Sequence, residues 1–123
     1  MSARKDVVEN YFEGFRRSDH DQVLACLTDD VVWDLRGYRH LIGKAAFDQE
    51  IENEEFMGSP TLTVDRLVEE ADTVVAIGSG ESTLRSGQVH RFVYSDVFSF
   101  RGNDICRVES YVVPLGDSST PSP

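Results

Sequence analysis

The part of the chain after residue 60 constrains the fold most, because it reads as four consecutive strands with only turn-like residues between them. Residues 61–70, 73–85, 88–101 and 104–113 each carry β-branched or aromatic side chains in alternation with polar ones. Strands joined this tightly pair as antiparallel neighbours and bury one face. Something earlier in the sequence must cover that face.

The first half supplies the cover. In residues 6–17, Val7, Val8, Tyr11, Phe12 and Phe15 fall on one stripe of a helix. Ser18 followed by Asp21 resembles a capping box, and Val23, Leu24 and Leu27 give a second, short helical face. A turn at Asp29-Asp30 precedes a short strand over 31–35, with Val31, Trp33 and Leu35 on one side and Val32 and Asp34 on the other. A loop holding Gly37, Arg39, His40 and Gly43 leads to a third helix. There Ala46, Phe47 and Ile51 mark the buried side, and Asp48, Glu52, Glu54 and Glu55 the solvated one. Gly58-Ser59-Pro60 is its expected stop. The expectation is an α+β fold: a curved antiparallel sheet packed on three N-terminal helices, enclosing a pocket. With 123 residues, 40% of them hydrophobic, the chain builds one core. Residues 1–115 form that domain, and the Ser, Thr and Pro-rich residues 116–123 are expected to be disordered.

Charge and composition exclude several classes of function. A net charge of −10, with 22 acidic side chains against 12 scattered basic ones, opposes nucleic-acid binding. No apolar run reaches the roughly 20 residues of a membrane span, and no apolar signal core follows the first residues, so a cytoplasmic location is expected. Cys26 and Cys106 lack CxxC spacing and read as buried free thiols. The three histidines lack the spacing of a metal-binding helix, so no metal site is expected. No glycine-rich phosphate loop is present, and no cofactor is implied.

The longest hairpin offers a way to assign faces. If Ser86-Gly87 is a two-residue turn, Arg85 lies opposite Gln88, and counting outward pairs Glu81 with Phe92, Ser79 with Tyr94 and Ile77 with Asp96. Paired residues share a face. One face then gathers Phe92, Tyr94, Phe98 and Phe100 beside His90, Asp96 and Glu81, the mixture of apolar walls and few polar groups that suits a small-molecule pocket. The other carries Ala76, Gly78, Gly80, Ser82, Val93, Ser95 and Val97, a surface of small and branched residues suited to a homodimer contact.

The order helix, helix, short strand, helix and four long strands, with the segments VVENYFEGFRRSDHDQVLACLTDDVVWDL, IGKAAF and YSDVFSFRGNDICRVESYVVP, resembles the nuclear transport factor 2-like superfamily. The resemblance extends to about Leu115. It implies a cone-like sheet with an interior pocket, and a set of relatives that includes ketosteroid isomerases and SnoaL-type polyketide cyclases.

Similarity to the ketosteroid isomerases implies an oxyanion-hole pair at Tyr11 and Asp96. In the established description of that chemistry, a phenol and an acid kept neutral by an apolar site donate hydrogen bonds to a developing enolate oxygen. The family's general base falls on Leu35, which cannot take a proton, so Glu81 and Asp34 stand as the candidate bases. Glu50, which aligns with a pocket-lining helix position, is a further carboxylate that could supply the base, but the expected place for it is the charged side of its helix. Trp33, Leu35, Ser79, Phe92, Tyr94, Phe98, Val108 and Ser110 are the expected pocket lining. Two functional readings stay open: a cofactor-free proton-transfer enzyme acting on an apolar carbonyl compound (isomerase, cyclase or dehydratase), and a non-catalytic module that binds an apolar ligand or dimerises as a scaffold.

Overall fold

The architecture comes from a computed structural model that describes residues 2–51 and 56–115, with side chains described outside 56–59. The first helix, α1 (Ala3–Arg16), starts at Ser2, whose hydroxyl accepts the Lys5 amide at 3.2 Å. It buries Val8, Tyr11, Phe12 and Phe15, the stripe that the spacing predicts. Ser18 adopts a positive φ of 49° and closes the end of α1, so the cap of α2 (His20–Leu24) passes to Asp19, which accepts the Gln22 amide at 3.1 Å. The expected Ser18 capping box is therefore displaced by one residue. Gly14 lets the two helices approach: a Cβ there would lie 2.6 Å from the Val23 side chain.

Six strands form one curved sheet in the order β2-β1-β6-β5-β4-β3. They are β1 (Leu27–Leu35), β2 (Arg39–Ile42), β3 (Phe56–Glu70), β4 (Thr73–Leu84), β5 (Val89–Arg101) and β6 (Asp104–Pro114), with α3 (Lys44–Ile51) between β2 and β3. All neighbours are antiparallel except β1 and β6, which run parallel. Four boundaries differ from the sequence reading, the first being Leu27, which opens β1 instead of extending the second helical face. The Asp29-Asp30 turn is a register irregularity inside β1, and the Arg39–His40 loop is the start of β2, paired back onto β1. β3 starts at Phe56, ahead of the expected Gly58-Ser59-Pro60 stop. Pro60 is tolerated there because β3 lies at the sheet's edge, beside an irregularity that bends it. Glu52, Glu54 and Glu55, and the expected tail 116–123, lie outside the described residues.

The largest correction concerns the β4–β5 hairpin. Its loop has three residues, Arg85-Ser86-Gly87, with Gly87 at φ 92° and the Leu84 amide bonded to the Gln88 carbonyl at 2.8 Å. The pairing moves by one residue, and a one-residue slip turns every β4 side chain to the other face. Val74, Ala76, Gly78, Gly80 and Ser82 therefore share the concave face with Phe98, Asp96, Tyr94, Phe92 and His90. Ile77, Ser79 and Glu81 turn outward beside Ser95, Val93 and Arg91. The glycines explain why this register holds. A Cβ on Gly80 would lie 2.4 Å from the Phe92 ring, and one on Gly78 would lie 1.9 Å from the Thr63 carbonyl and 2.6 Å from the Tyr94 hydroxyl. Two large rings thus lie over two residues without side chains.

The helices seat their aromatic stripe on this concave face. Tyr11 meets Phe98 edge-on at 5.1 Å between centroids, Phe12 lies 5.5 Å from Tyr94, and Trp33 stacks on Phe47 of α3 at 4.4 Å.

Candidate active site

Where the aromatic packing stops short of the sheet it leaves a cavity of about 230 Å³. The α1 side chains Tyr11, Phe12 and Phe15 form one wall, β1 contributes Trp33 and Leu35, and β5 contributes Phe92, Tyr94 and Asp96. Ser82, Ser110 and Glu50 add the other polar side chains. The mixture of apolar wall and few polar groups fits a small-molecule site.

Asp96 is the chemical centre of this cavity. It is 8% exposed and sits directly opposite Ser110 in the β5–β6 register. Ser110 accepts the Trp33 indole N–H at 2.9 Å, and its hydroxyl, across the strand pair from Asp96, favours the charged carboxylate. The remaining carboxyl oxygen, Oδ1, is buried and has no hydrogen-bond partner among the described residues. Burial pushes the Asp96 pKa up to about 7 against the opposing Ser110 hydrogen bond, so neutral and ionised forms coexist at neutral pH.

Tyr11 lines the same cavity, and its pKa is raised well above the ordinary phenol value, first by burial and then by the charge of Asp96. It stays a phenol at any working pH. Tyr94 is raised for the same two reasons, but its hydroxyl is committed to the Thr63 carbonyl at 3.0 Å.

The structure separates the other expected site residues. Trp33, Leu35, Phe92, Tyr94 and Ser110 line the cavity. Phe98 and Val108 are fully buried in the core and do not reach it, and Ser79 faces outward with Val93. Both candidate bases are corrected. Glu81 is exposed on the outer face, where the slipped register sets it beside Arg91 at 3.1 Å. Asp34 points away from Trp33 and Leu35, as strand alternation requires, and is held by Arg36 at 3.1 Å and Arg107 at 3.2 Å.

Glu50 reverses its expectation. It lines the cavity with its side chain 16% exposed and forms an ion pair with Arg39 of β2. Its position three residues after Phe47 and one before Ile51 places it beside the buried stripe of α3, a signal available in the spacing. Ser82 was missed through the hairpin slip. Among the described residues, no group of three or more His, Cys, Asp or Glu side chains is arranged to hold a metal ion, and no helix is long and apolar enough to cross a membrane.

Solved structures of the nuclear transport factor 2-like fold superimpose on nearly the whole chain. One is a protein of unknown function from Burkholderia pseudomallei, with TM-score 0.78 and 21% identity over 90% of this chain and 91% of that one. A LEH-like epoxide hydrolase from M. tuberculosis gives TM-score 0.80 and 17% identity, over 90% of this chain and 83% of that one. A protein from Xanthomonas campestris assigned as a polyketide cyclase gives TM-score 0.77 and 27% identity, over 89% of each chain. None of the curated proteins matches. The chain has the nuclear transport factor 2-like fold. Within it, the chain belongs to the SnoaL-like domain family, which matches residues 8–108.

Proposed function

We propose that this protein binds an apolar carbonyl compound in the cavity and catalyses proton transfer on it with its own side chains, as an isomerase, cyclase or dehydratase. The observation that carries the reading is Oδ1 of Asp96, buried on the cavity wall with no hydrogen-bond partner among the described residues. A buried polar atom without a partner costs about 1–3 kcal/mol, and a ligand oxygen removes that cost. In its neutral form Asp96 has a proton to donate, and the Tyr11 phenol supplies a second donor in the same cavity. Donors aimed at an oxygen where charge develops stabilise an enolate more than a ketone.

A titration with 1-tetralone, a neutral two-ring ketone, followed by protein NMR, tests this. Asp96→Ala and Tyr11→Phe should each weaken binding roughly 10-fold, the loss of one hydrogen bond of about 1–1.5 kcal/mol. Unchanged affinity in both variants refutes the reading. A second reading, binding without turnover, is favoured by Leu35 standing in the cavity wall where the family resemblance would place a base. Exchange of the tetralone α-protons in D2O separates the two, since a pure binder leaves them at the buffer rate.

We also propose that a second copy of the chain covers the outer sheet face. Val93, Tyr111 and Val113 are exposed there on neighbouring strands, with Val93 opposite Val113 and Tyr111 opposite Ser95.

A further inference from the structure

We propose that Glu50 is the general base of this cavity, taking the proton from the substrate carbon while Asp96 faces the substrate oxygen, and that Arg39 is its positioning residue. The inference rests on the acid–base reading above and adds the group that reading lacks.

Two carboxyls line the cavity among the described residues, and they come from different elements, Asp96 from β5 and Glu50 from α3. Their surroundings differ in the way that separates an acid from a base. Asp96 is buried beside aromatic rings, across the strand pair from Ser110. Glu50 is partly open to water and lies against a guanidinium. Access to solvent matters, because a base has to shed its proton between turnovers.

The fold explains how a glutamate reaches the wall. Phe47 and Ile51 anchor α3 in the core, and Glu50 lies on the border of that stripe. Arg39 is the partner of Leu35 in the β1–β2 register, and Leu35 itself lines the cavity, so the ion pair ties the end of α3 to the cavity margin. A guanidinium fixes a carboxylate in direction as well as charge.

The step balances without any co-reactant. Glu50 takes the proton from the carbon beside the carbonyl, that C–H pair becomes the C=C bond, and the C=O π pair moves to oxygen. Tyr11 and neutral Asp96 hold the enolate oxygen. Glu50 then returns the proton, to the same carbon for exchange or to another for isomerisation.

The test uses 5-nitrobenzisoxazole, whose five-membered ring opens when a base removes the proton on its isoxazole carbon: the C–H pair forms the nitrile, the N–O bond breaks with its electrons on oxygen, and the product is a coloured cyanophenolate. The 123-residue chain should accelerate this above buffer. Glu50→Gln should lose about 100-fold or more of the rate, the lower end of what a positioned base contributes. Glu50→Asp should recover part of it. Arg39→Gln should lower kcat with little change in KM, which a merely structural role would not single out. A wild-type rate no faster than buffer overturns the proposal, as does a Glu50→Gln rate within a few-fold of wild type. So does a rate that rises with a midpoint near 7 and vanishes in Asp96→Asn alone, which would make Asp96 the base. Tetralone binding that ignores Asp96 and Tyr11 sinks the earlier reading, while loss of ring opening in Glu50→Gln still supports this one, so the two fail separately.

Discussion

Replacing Asp96 with Asn should change how stability depends on pH. Burial raises the Asp96 pKa from an ordinary 3.8 to about 7, so between these values the folded protein holds a proton that the unfolded chain has released. Raising the pH through that window therefore favours unfolding. Each tenfold change in proton affinity is worth about 1.4 kcal/mol, which makes the full effect on the order of 4 kcal/mol, with roughly 3 kcal/mol of it between pH 5 and pH 8. Asn has nearly the same shape and no charge to desolvate. Urea unfolding of both proteins at the two pH values measures the difference, and other titrating groups cancel between them. The variant should gain on wild type by roughly 3 kcal/mol on going from pH 5 to pH 8. A gap between the two proteins that stays constant with pH would refute the burial argument.

Other consequences are as direct. Gly80→Ala should destabilise by about 1–3 kcal/mol in chemical denaturation, because its Cβ would meet the Phe92 ring; Gly78→Ala, which meets backbone, should cost more. Trp33 is the single tryptophan and lines the cavity, so 1-tetralone should alter intrinsic fluorescence, with a midpoint equal to the one from NMR. Trp33→Phe should cost roughly 1–3 kcal/mol by leaving Ser110 without its indole donor. Val93→Asp should shift the protein to a monomer in sedimentation velocity while leaving tetralone binding within about two-fold, since Val93 faces away from the cavity.

How far the sequence could be read depended on the kind of pattern involved. The α1 stripe and the alternation of the last four strands were legible, because burial repeats at fixed spacing and needs no knowledge of partners. Asp96 among aromatic residues was legible for the same reason, since β5 alone fixes which of its residues share a face. The β4 side of the cavity was not. One extra loop residue at Arg85-Ser86-Gly87 moved Glu81 and Ser79 outward and Ser82 inward, and turn length is a property of backbone geometry at Gly87. A complementary signal was present: glycines at 78 and 80 fit beneath Tyr94 and Phe92 in only one register. β2 was hidden because four residues, Arg39–Ile42, carry little alternation and gain their structure from pairing with β1. Glu50 was hidden by its type, since a glutamate on a helix normally marks the wet side; its spacing beside Phe47 and Ile51 pointed the other way, and the ion pair with Arg39 accompanies its place on the cavity wall.

The most direct test of the central claim is a carbon-13 NMR titration of the Asp96 carboxyl, assigned by its absence from Asp96→Asn, with and without 1-tetralone. The account predicts a midpoint near 7 in the free protein and a higher one with the ketone bound, because the ligand oxygen accepts from the protonated acid. A midpoint near the ordinary 3.8, or one that the ketone leaves unmoved, would contradict it.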